Sequence, residues 1–334
     1  MSKLTTRILR GSPANLTRLA AALRRGELVA VPTETVYGLA GDALNPAAAD
    51  AIFAAKGRPA NDPLIVHIHD RRQLATLAVV NDAALKLTRA FWPGPLTLVL
   101  PKLPSVPDRV TSGQGSVAVR LPSHPLFRRL LRAAGIPLAA PSANPFGYLS
   151  PTTAEHVRAG LGGRIRHILD GGPCVFGLES TIVDLRDPAK PTLLRPGSLA
   201  RETIEAVLGR KLLVPAKPAR GNNRTKVVAP GQLTRHYSPR TPLALHAALP
   251  STTAIARRPD EVFVFLAKPT GPRPANVRWL DPRGDLRGVA RQLFAELRTL
   301  DDGTWKKIHV ELARGDDGWA PAINDRLHRA AAKR

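Results

Sequence analysis

The chain has 334 residues, of which 49 are Lys or Arg and 26 are Asp or Glu, so its formal net charge is +23 with neutral histidines. Hydrophobic residues make up 43% of the chain, which is enough for a sizeable core and excludes a disordered basic tail. The single cysteine, Cys174, excludes intramolecular disulfides and cysteine-cluster metal sites, and because no apolar run of about 18 residues or signal-peptide pattern occurs, we expect a cytoplasmic protein.

The first two hundred residues alternate patterns typical of helices and of strands. Strands are predicted at residues 28–31, 64–68, 96–100, 117–121, 136–140, 165–169 and 181–185. Helices are predicted from Asn15, as the N-cap, to Gly26, from Asn45-Pro46 to Gly57, and at residues 83–91, 125–134, 153–161 and 202–208. This alternation favours an α/β fold with one large, mixed sheet.

The pattern changes after residue 209. Residues 210–240 carry prolines and basic residues with no periodicity, which is typical of a linker. Strands at 243–246, 262–267 and 308–312, with helices at 285–300 and 321–332, then predict a smaller Rossmann-like unit. We therefore predict a first α/β domain at 1–209, a linker at 210–240 and a C-terminal α/β domain at 241–334.

The net charge has two interpretations. It favours a polyanionic partner such as RNA, DNA or a phosphate-bearing small molecule, or it reflects an arginine-rich proteome with solvated surface charges. Between Ala206 and Pro259 there are ten Lys or Arg and no Asp or Glu, so the excess is densest there.

Three polar segments follow predicted elements of the first domain. They are Val31-Pro-Thr-Glu-Thr-Val-Tyr-Gly-Leu39, Lys56-Gly-Arg-Pro-Ala-Asn-Asp-Pro-Leu-Ile-Val-His67 and Ala139-Ala-Pro-Ser-Ala-Asn-Pro145. Each has a plain structural explanation: turn chemistry in the first and third, and a helix-dipole contact for Lys56 in the second. Ligands of open α/β sheets bind outside strand ends, so three such segments together predict a site. Phosphate-loop, dinucleotide-binding and serine-hydrolase motifs do not occur.

These segments belong to a longer ordered set of motifs. The set is Pro32-Thr-Glu-Thr-Val-Tyr-Gly38, Lys56-Gly-Arg-Pro59 with Pro63-Leu-Ile-Val-His67, Trp92-Pro-Gly-Pro-Leu-Thr97, Arg120-Leu-Pro122, Pro141-Ser-Ala-Asn144, Glu179-Ser-Thr-Ile-Val-Asp184 and Leu194-Arg-Pro-Gly197. It resembles the threonylcarbamoyl-AMP synthase family, which has a YrdC-like catalytic domain. Pro230-Gly-Gln-Leu-Thr-Arg-His-Tyr-Ser-Pro239, followed by a small α/β domain, resembles the long, two-domain form of that family.

The resemblance implies a twisted, open mixed sheet with a positively charged cavity. It also implies a nucleotidyltransferase reaction in which L-threonine, bicarbonate (or carbon dioxide) and ATP give threonylcarbamoyl-adenylate and pyrophosphate. Other proteins, the tRNA threonylcarbamoyl transferases, then move the threonylcarbamoyl group to an adenosine beside the tRNA anticodon. Direct tRNA binding is compatible with this function and not required by it, and no membrane is involved.

Site residues carry over from the matching positions. Around threonine the resemblance places Thr35, His67, Arg120, Ala140 and Ser180. An arginine fork fits a carboxylate better than lysine does, and Ala140 stands where the family often has threonine.

The catalytic set implied by the resemblance is Lys56, Arg58, Ser142 and Asn144. The ATP site would consist of Arg58, Asp62, Ser116, Ser142, Ser150, Arg195 and His236. The family commonly has asparagine where this chain has Asp62, so we expect this carboxylate to touch ribose, magnesium or Arg58.

The implied chemistry needs no covalent enzyme intermediate. Threonine's amine adds to carbon dioxide, and the carbamate attacks the α-phosphorus. We therefore expect the enzyme to accelerate the reaction by positioning the substrates and by stabilising negative charge with cations. We expect Mg²⁺ to accompany ATP, with the nucleotide supplying most of its ligands because no acidic cluster marks a protein site. We also hypothesise that Arg235–Tyr237 belongs to a lid formed by the linker, which would protect the mixed anhydride from water.

Two other functions fit parts of the sequence. A hydrogenase-maturation carbamoyltransferase contains a related domain, but it also carries zinc-binding cysteine pairs, and this chain has one cysteine. A non-catalytic RNA-binding module would fit the net charge, although aromatic residues are only 4% of the chain, so stacking platforms for bases are scarce.

Overall fold

The computed structural model of the chain describes residues 4–215 and 237–332. Its larger sheet has ten strands in the order β1-β8-β2-β3-β7-β4-β6-β5-β9-β10. The strands are β1 Arg7–Arg10, β2 Val29–Val31, β3 Gly38–Asp42, β4 Ile65–His67, β5 Leu96–Pro101, β6 Ser116–Arg120, β7 Leu138–Ala139, β8 His167–Asp170, β9 Thr181–Asp184 and β10 Thr192–Arg195. Four neighbouring pairs are parallel and five are antiparallel, which confirms the predicted mixed sheet.

Helices cover both faces of this sheet. They are α1 Pro13–Arg24, α2 Pro46–Lys56, α3 Asp82–Phe91, α4 Asp108–Thr111, α5 Pro125–Ala134, α6 Ala154–Leu161 and α7 Arg201–Leu208, with a 3-10 helix at Arg71–Thr76. On β2, Val29 and Val31 belong to the core cluster formed with α1 and α5, whereas Ala30 belongs to the larger cluster. Because side chains alternate along a strand, the two clusters lie on opposite faces.

A second, smaller sheet follows. Its four strands, in the order β11-β14-β12-β13, are all parallel. The elements are β11 Leu243–His246, α8 Thr252–Ile255, β12 Glu261–Ala267, β13 Val277–Asp281, α9 Leu286–Leu300, β14 Lys307–Glu311 and α10 Ala320–Ala330. This agrees with the predicted small α/β unit. The predicted domain boundaries stay predictions, and most of the linker lies outside the described residues.

Capping explains where the helices begin and end. Asn45 accepts a hydrogen bond from the Ala47 amide and Pro46 opens α2, which ends at Gly57 in the left-handed conformation, as predicted. The predicted cap of α1 is wrong by three residues: Ser12 is the N-cap, and it accepts from the Asn15 amide. Pro13 fits the first helical turn because its missing N–H would have no partner there.

Four strands lack the pattern that would predict them. β3 contains two glycines and no β-branched residue. β1 has an arginine at each end, and β13 has an arginine between apolar residues and an aspartate at its end. β10 follows a proline-rich turn. Pairing with neighbouring strands stabilises these segments in the extended conformation, although their own sequences do not indicate a strand.

Within the described ranges, no helix is both long enough and apolar enough to cross a membrane.

Candidate active site

A cavity opens where the three polar segments meet. Counted with its open mouth, it has a volume of about 500 Å³. It is lined by Thr33, Thr35, Val36, Gly38, Arg58, Ile65, His67, Arg120, Ala140, Pro141, Ser142, Glu179, Ser180, Arg195 and Tyr237. Each of the three segments contributes to this lining, so the structure brings them together as the sequence predicts.

All five residues predicted for threonine line the cavity. Thr35 lies in the turn between β2 and β3, His67 and Arg120 end the parallel strands β4 and β6, and Ser180 precedes β9. Ala140 follows β7 and offers only a methyl group.

Hydrogen bonds fix the hydroxyl groups of this half. The Thr35 hydroxyl accepts from Arg120 Nη1 at 3.0 Å and lies 2.7 Å from the hydroxyl of Thr33. Ser180 Oγ lies 2.8 Å from Thr97 Oγ1 and accepts from Arg195 Nη2 at 3.1 Å. The hydroxyls are therefore held in fixed positions.

His67 is a neutral group in this site. Burial, reinforced by the charge of Arg120, lowers the pKa of its imidazole to about 3. Nδ1 lies 3.2 Å from the carbonyl oxygen of Ile65. The ring therefore acts as a neutral hydrogen-bonding partner at neutral pH, in a wall where the arginines carry the positive charge.

The predicted catalytic residues form a second cluster. Arg58 and Ser142 line the cavity, and Lys56 and Asn144 lie buried next to them. Lys56 Nζ donates to the backbone carbonyls of Ser142 and Asn144. Burial, followed by the charge of Arg58, holds the pKa of Lys56 well below its ordinary value.

Asp62 pairs with Arg58, which was one of the three contacts expected for it. Its carboxylate lies 2.9 Å from Arg58 Nη2, and both side chains are buried. Arg58 also donates to the backbone carbonyls of Asp62 and Pro63. Burial raises the pKa of Asp62 in spite of the neighbouring cations. Among the described residues, Arg58 lines the cavity and Asp62 does not. The Asp62 side chain therefore orients Arg58 from the side facing away from the cavity.

The remaining predicted ATP residues are spread more widely. Arg195 lines the cavity and donates to the carbonyl and hydroxyl of Ser180. Ser150 lies behind the wall and donates to the carboxylate of Glu179 at 2.6 Å. Ser116 begins β6, four residues before Arg120 and so about 13 Å from it along the strand. His236 lies outside the described residues.

Two cavity residues, Glu179 and Tyr237, are absent from the predicted site residues, although Tyr237 belongs to the segment predicted as a lid. Glu179 accepts from Ser150 and from Arg326 of α10, the latter at 2.7 Å. Tyr237, the first residue described after the gap, has a φ of 62° and stacks on Phe294 of α9 with ring centroids 5.4 Å apart. The Glu-Ser-Thr and His-Tyr-Ser-Pro motifs were the available signals. The second sheet unit thus supports one wall of the cavity.

The donor set suits anions rather than a metal cage. Arg58, Arg120 and Arg195 lie around hydroxyls and backbone groups, and such forks match carboxylate and phosphate oxygens. In the parts of the chain that the structure describes, no group of three or more His, Cys, Asp or Glu residues is arranged to hold a metal ion.

Comparisons with known proteins give the same family for both units. A family profile described as "Telomere recombination", named for Sua5, YciO and YrdC, matches residues 21–197. A second profile, described as "Threonylcarbamoyl-AMP synthase, C-terminal domain", matches residues 199–332.

Individual relatives match over nearly the whole chain. A Bacillus subtilis protein named threonylcarbamoyl-AMP synthase is 41% identical over 96% of this chain and 93% of its own length. A Schizosaccharomyces pombe protein of the same name is 35% identical over 91% of this chain and 85% of its own. The crystal structure of Pyrococcus abyssi Sua5 complexed with L-threonine aligns with a TM-score of 0.87 and 36% identity, covering 98% of both chains.

Proposed function

This chain belongs to the threonylcarbamoyl-AMP synthase family in its two-domain form, and we propose that it makes threonylcarbamoyl-adenylate from L-threonine, bicarbonate (or carbon dioxide) and ATP. The observation that carries this proposal is the cavity in which Arg120, Ser180 and His67 lie together with Arg58 and Arg195. One amino acid and one polyphosphate need such a combination of cations and hydroxyls.

On the threonine side, Arg120 would bind the substrate carboxylate. Its guanidinium lies beside the Thr35 hydroxyl, so both can approach one small zwitterion. Ser180 and neutral His67 would hydrogen-bond the amine and the side-chain hydroxyl of the substrate. Ala140 would contribute contact without a hydroxyl, which leaves substrate selection to these other groups.

On the ATP side, the cations would hold the phosphates. Arg58, Arg195 and Lys56 are the positive groups of this half, with Ser142 and Asn144 next to them. Asp62 would act through Arg58. Ser116, Ser150 and His236 remain proposed nucleotide contacts, and the linker remains a proposed lid, of which Tyr237 is the described end.

The reaction would proceed in two steps. The threonine nitrogen attacks the carbon of carbon dioxide, so that an N–C bond forms while one C=O π bond opens onto oxygen. The nitrogen then loses a proton to water, which leaves a carbamate. A carbamate oxygen then attacks the α-phosphorus of ATP, the bond from the α-phosphorus to the bridging oxygen breaks, and pyrophosphate leaves. Negative charge builds on oxygen in both steps, so fixed cations lower both barriers.

Magnesium would be held chiefly by the nucleotide. The described residues form no acidic cluster, and Asp62 is already paired with Arg58. The ion would neutralise phosphate charge, and no step above depends on a protein ligand for it.

The product would serve tRNA modification. A mixed anhydride must be passed on quickly, so the proposed acceptors are tRNA threonylcarbamoyl transferases, in the cytoplasm. A non-catalytic RNA-binding role would not need the buried cations of this cavity.

The test is pyrophosphate release with ATP, bicarbonate and threonine, omitting each in turn. We expect release to require all three. Arg58→Ala should lower the rate about 100-fold or more, because one preorganised charge-stabilising group is typically worth that much.

The matched control keeps the arginine and changes its partner. Asp62→Asn, which keeps the arginine, should lower the rate far less than Arg58→Ala does. The double variant Arg58→Ala with Asp62→Asn should be as inactive as Arg58→Ala while unfolding at a higher temperature, since no buried carboxylate is left unpaired. Pyrophosphate release without threonine, or an Arg58→Ala variant as active as the wild type, would contradict the proposed function.

A further inference from the structure

A buried ion pair lies behind the threonine half of the cavity. Arg120 Nη2 is 2.6 Å from Oε1 of Glu34, and the two side chains are 4% and 5% exposed. Glu34 belongs to the turn after β2, whereas Arg120 ends β6, so residues 86 positions apart form this pair. Burying two charges is costly unless they are paired and further hydrogen-bonded, so the contact needs an explanation.

Arg120 is held on three sides by the protein. Nε donates to the carbonyl of Gly94 at 3.2 Å, Nη1 donates to the hydroxyl of Thr35 at 3.0 Å, and Nη2 faces Glu34. A guanidinium has five N–H groups, so two of them remain on the terminal nitrogens. These contacts fix the plane of the Arg120 guanidinium and leave two N–H groups that can bind a ligand.

Glu34 points away from the cavity. Thr33 and Thr35 on either side of it line the cavity, but Glu34 is not among the described lining residues, and both its carboxylate oxygens are shielded from solvent. Besides Arg120, the groups that face it are the Ser123 amide, His67, His124 and Cys174. The carboxylate therefore lies behind Arg120 and outside the lining of the cavity.

The carboxylate is nonetheless charged. Burial raises the pKa of Glu34, but the adjacent charge of Arg120 and the backbone groups nearby together outweigh burial, so the pKa lies below its ordinary value. Arg120 therefore has a permanent anionic partner in the empty protein. A long arginine side chain loses much rotamer freedom on binding, and a partner that orders it beforehand reduces that cost.

We propose that Glu34 is a positioning residue that fixes the guanidinium of Arg120 in the orientation that receives the carboxylate of the amino-acid substrate. This inference rests on the proposed function. Glu34 does not touch the substrate; its effect on threonine passes through Arg120.

The test compares Glu34→Gln with the wild type in pyrophosphate release. Glutamine keeps the shape and one acceptor oxygen but removes the charge. We expect KM for threonine to rise about 10-fold and KM for ATP to change less than twofold. Glu27→Gln is the control, because Glu27 also pairs with an arginine, Arg25 at 2.7 Å, but at an exposed position; it should leave both constants unchanged.

A double-variant cycle identifies the route of the effect. In the Arg120→Lys background the fork is already lost, so Glu34→Gln should raise KM for threonine less than twofold further. An equal rise in both backgrounds would overturn the inference, because Glu34 would then act independently of Arg120. If Glu34→Gln fails to fold, Glu34→Asp, which keeps the charge but shortens the reach, should raise KM for threonine at least threefold with KM for ATP unchanged, and no rise would overturn the inference.

The outcomes separate the two proposals. A wild-type protein that releases no pyrophosphate in response to threonine contradicts the proposed function. A wild type that does so, with a Glu34→Gln variant whose KM for threonine is unchanged or moves in parallel with KM for ATP, contradicts only the role of Glu34.

Discussion

Three buried arginines in and behind the cavity wall have carboxylate partners of their own. Arg58 pairs with Asp62 at 2.9 Å, Arg120 with Glu34 at 2.6 Å and Arg326 with Glu179 at 2.7 Å. These carboxylates therefore offset part of the positive charge in and behind the cavity wall. Each pair holds a planar fork in place, and the carboxylate offsets the cost of burying the cation before a ligand arrives.

Lys56 is held differently from the arginines. Its ammonium donates to two backbone carbonyls, and among the described residues it forms no ion pair with a carboxylate. Its lowered pKa follows from this burial and from the charge of Arg58.

ATP binding should therefore draw a proton onto Lys56. A polyanion near the amine raises its pKa, so at a pH between the free and bound values the complex takes up a proton. ATP affinity should be greatest below the free-state pKa of Lys56 and should fall as pH rises from the free-state pKa to the bound-state pKa. Calorimetry of ATP binding over a series of pH values, each in two buffers of different ionisation heat, should show proton uptake by the wild type within this interval.

The same titration checks the assignment. Lys56→Met should show much less proton uptake, and Lys306→Met, which removes an exposed lysine paired with Asp260, should match the wild type. Equal uptake by wild type and Lys56→Met would contradict a lowered pKa at this lysine.

The end of helix α2 places two of the predicted catalytic residues. Gly57 lies between Lys56 and Arg58 with a φ of 62°, and a Cβ there would meet nothing within 4 Å. The left-handed turn stops the helix, with Lys56 in its last turn and Arg58 beyond it. The constraint at this position is conformational rather than steric.

Gly57→Ala should cost about 1–2 kcal/mol in the free energy of unfolding, the penalty for an L-residue in the left-handed region, and should also lower activity. Gly135→Ala is a matched control, because Gly135 ends α5 with a φ of 71° and equally open space. Chemical denaturation should give similar losses of stability for both variants. Loss of activity in Gly57→Ala alone is the expected result, and equal activity losses would remove the special role of this turn.

The sequence predicts these elements well where side chains follow a regular pattern. β2, β5, β9, α2 and α5 were predicted within one or two residues because apolar alternation or a cap marks them. β3 contains two glycines and is not predicted from its sequence. Pairing with β2 and β7 on either side holds it in the extended conformation. The N-cap of α1 was misplaced because Asn15 and Ser12 both carry capping side chains.

The candidate site was predictable only in part. Short motifs placed Thr35, Arg58, Arg120, Ser142 and Ser180 in one cavity, because each lies in a polar segment with recognisable neighbours. The roles of Glu34, Glu179 and Arg326 were not predictable, since their partners are distant in sequence: 147 residues separate Glu179 from Arg326. Only the folded chain brings such residues together.

At the scale of the whole molecule, the second sheet unit is joined to the first at the cavity wall. Arg326 of α10 is fully buried and donates to Glu179 and to the carbonyl of Pro196. Arg298 donates to the carbonyls of Leu149 and Ser150. Arg298 and Arg326 are therefore two of the 49 Lys and Arg residues with a structural position at this junction.

Breaking this junction should be costly. Arg326→Met leaves the Glu179 carboxylate buried without its partner, so the free energy of unfolding should fall by about 3–5 kcal/mol. Arg329→Met, one turn later on α10 and partly exposed beside Asp325, should cost about 1 kcal/mol or less. In chemical denaturation, the double variant Glu179→Gln with Arg326→Met should recover part of the loss; a single Arg326→Met that costs no more than Arg329→Met would show that the pair does not join the units.

The identity of the nucleotide product tests the proposed activity directly. The purified protein would be incubated with ATP, L-threonine and ¹³C-bicarbonate, and the nucleotide products analysed by mass spectrometry. We predict threonylcarbamoyl-adenylate carrying one ¹³C in its carbamoyl group, formed together with pyrophosphate and lost when threonine is omitted. A threonine adenylate without ¹³C, or no threonine-containing nucleotide at all, would contradict the function proposed for this cavity.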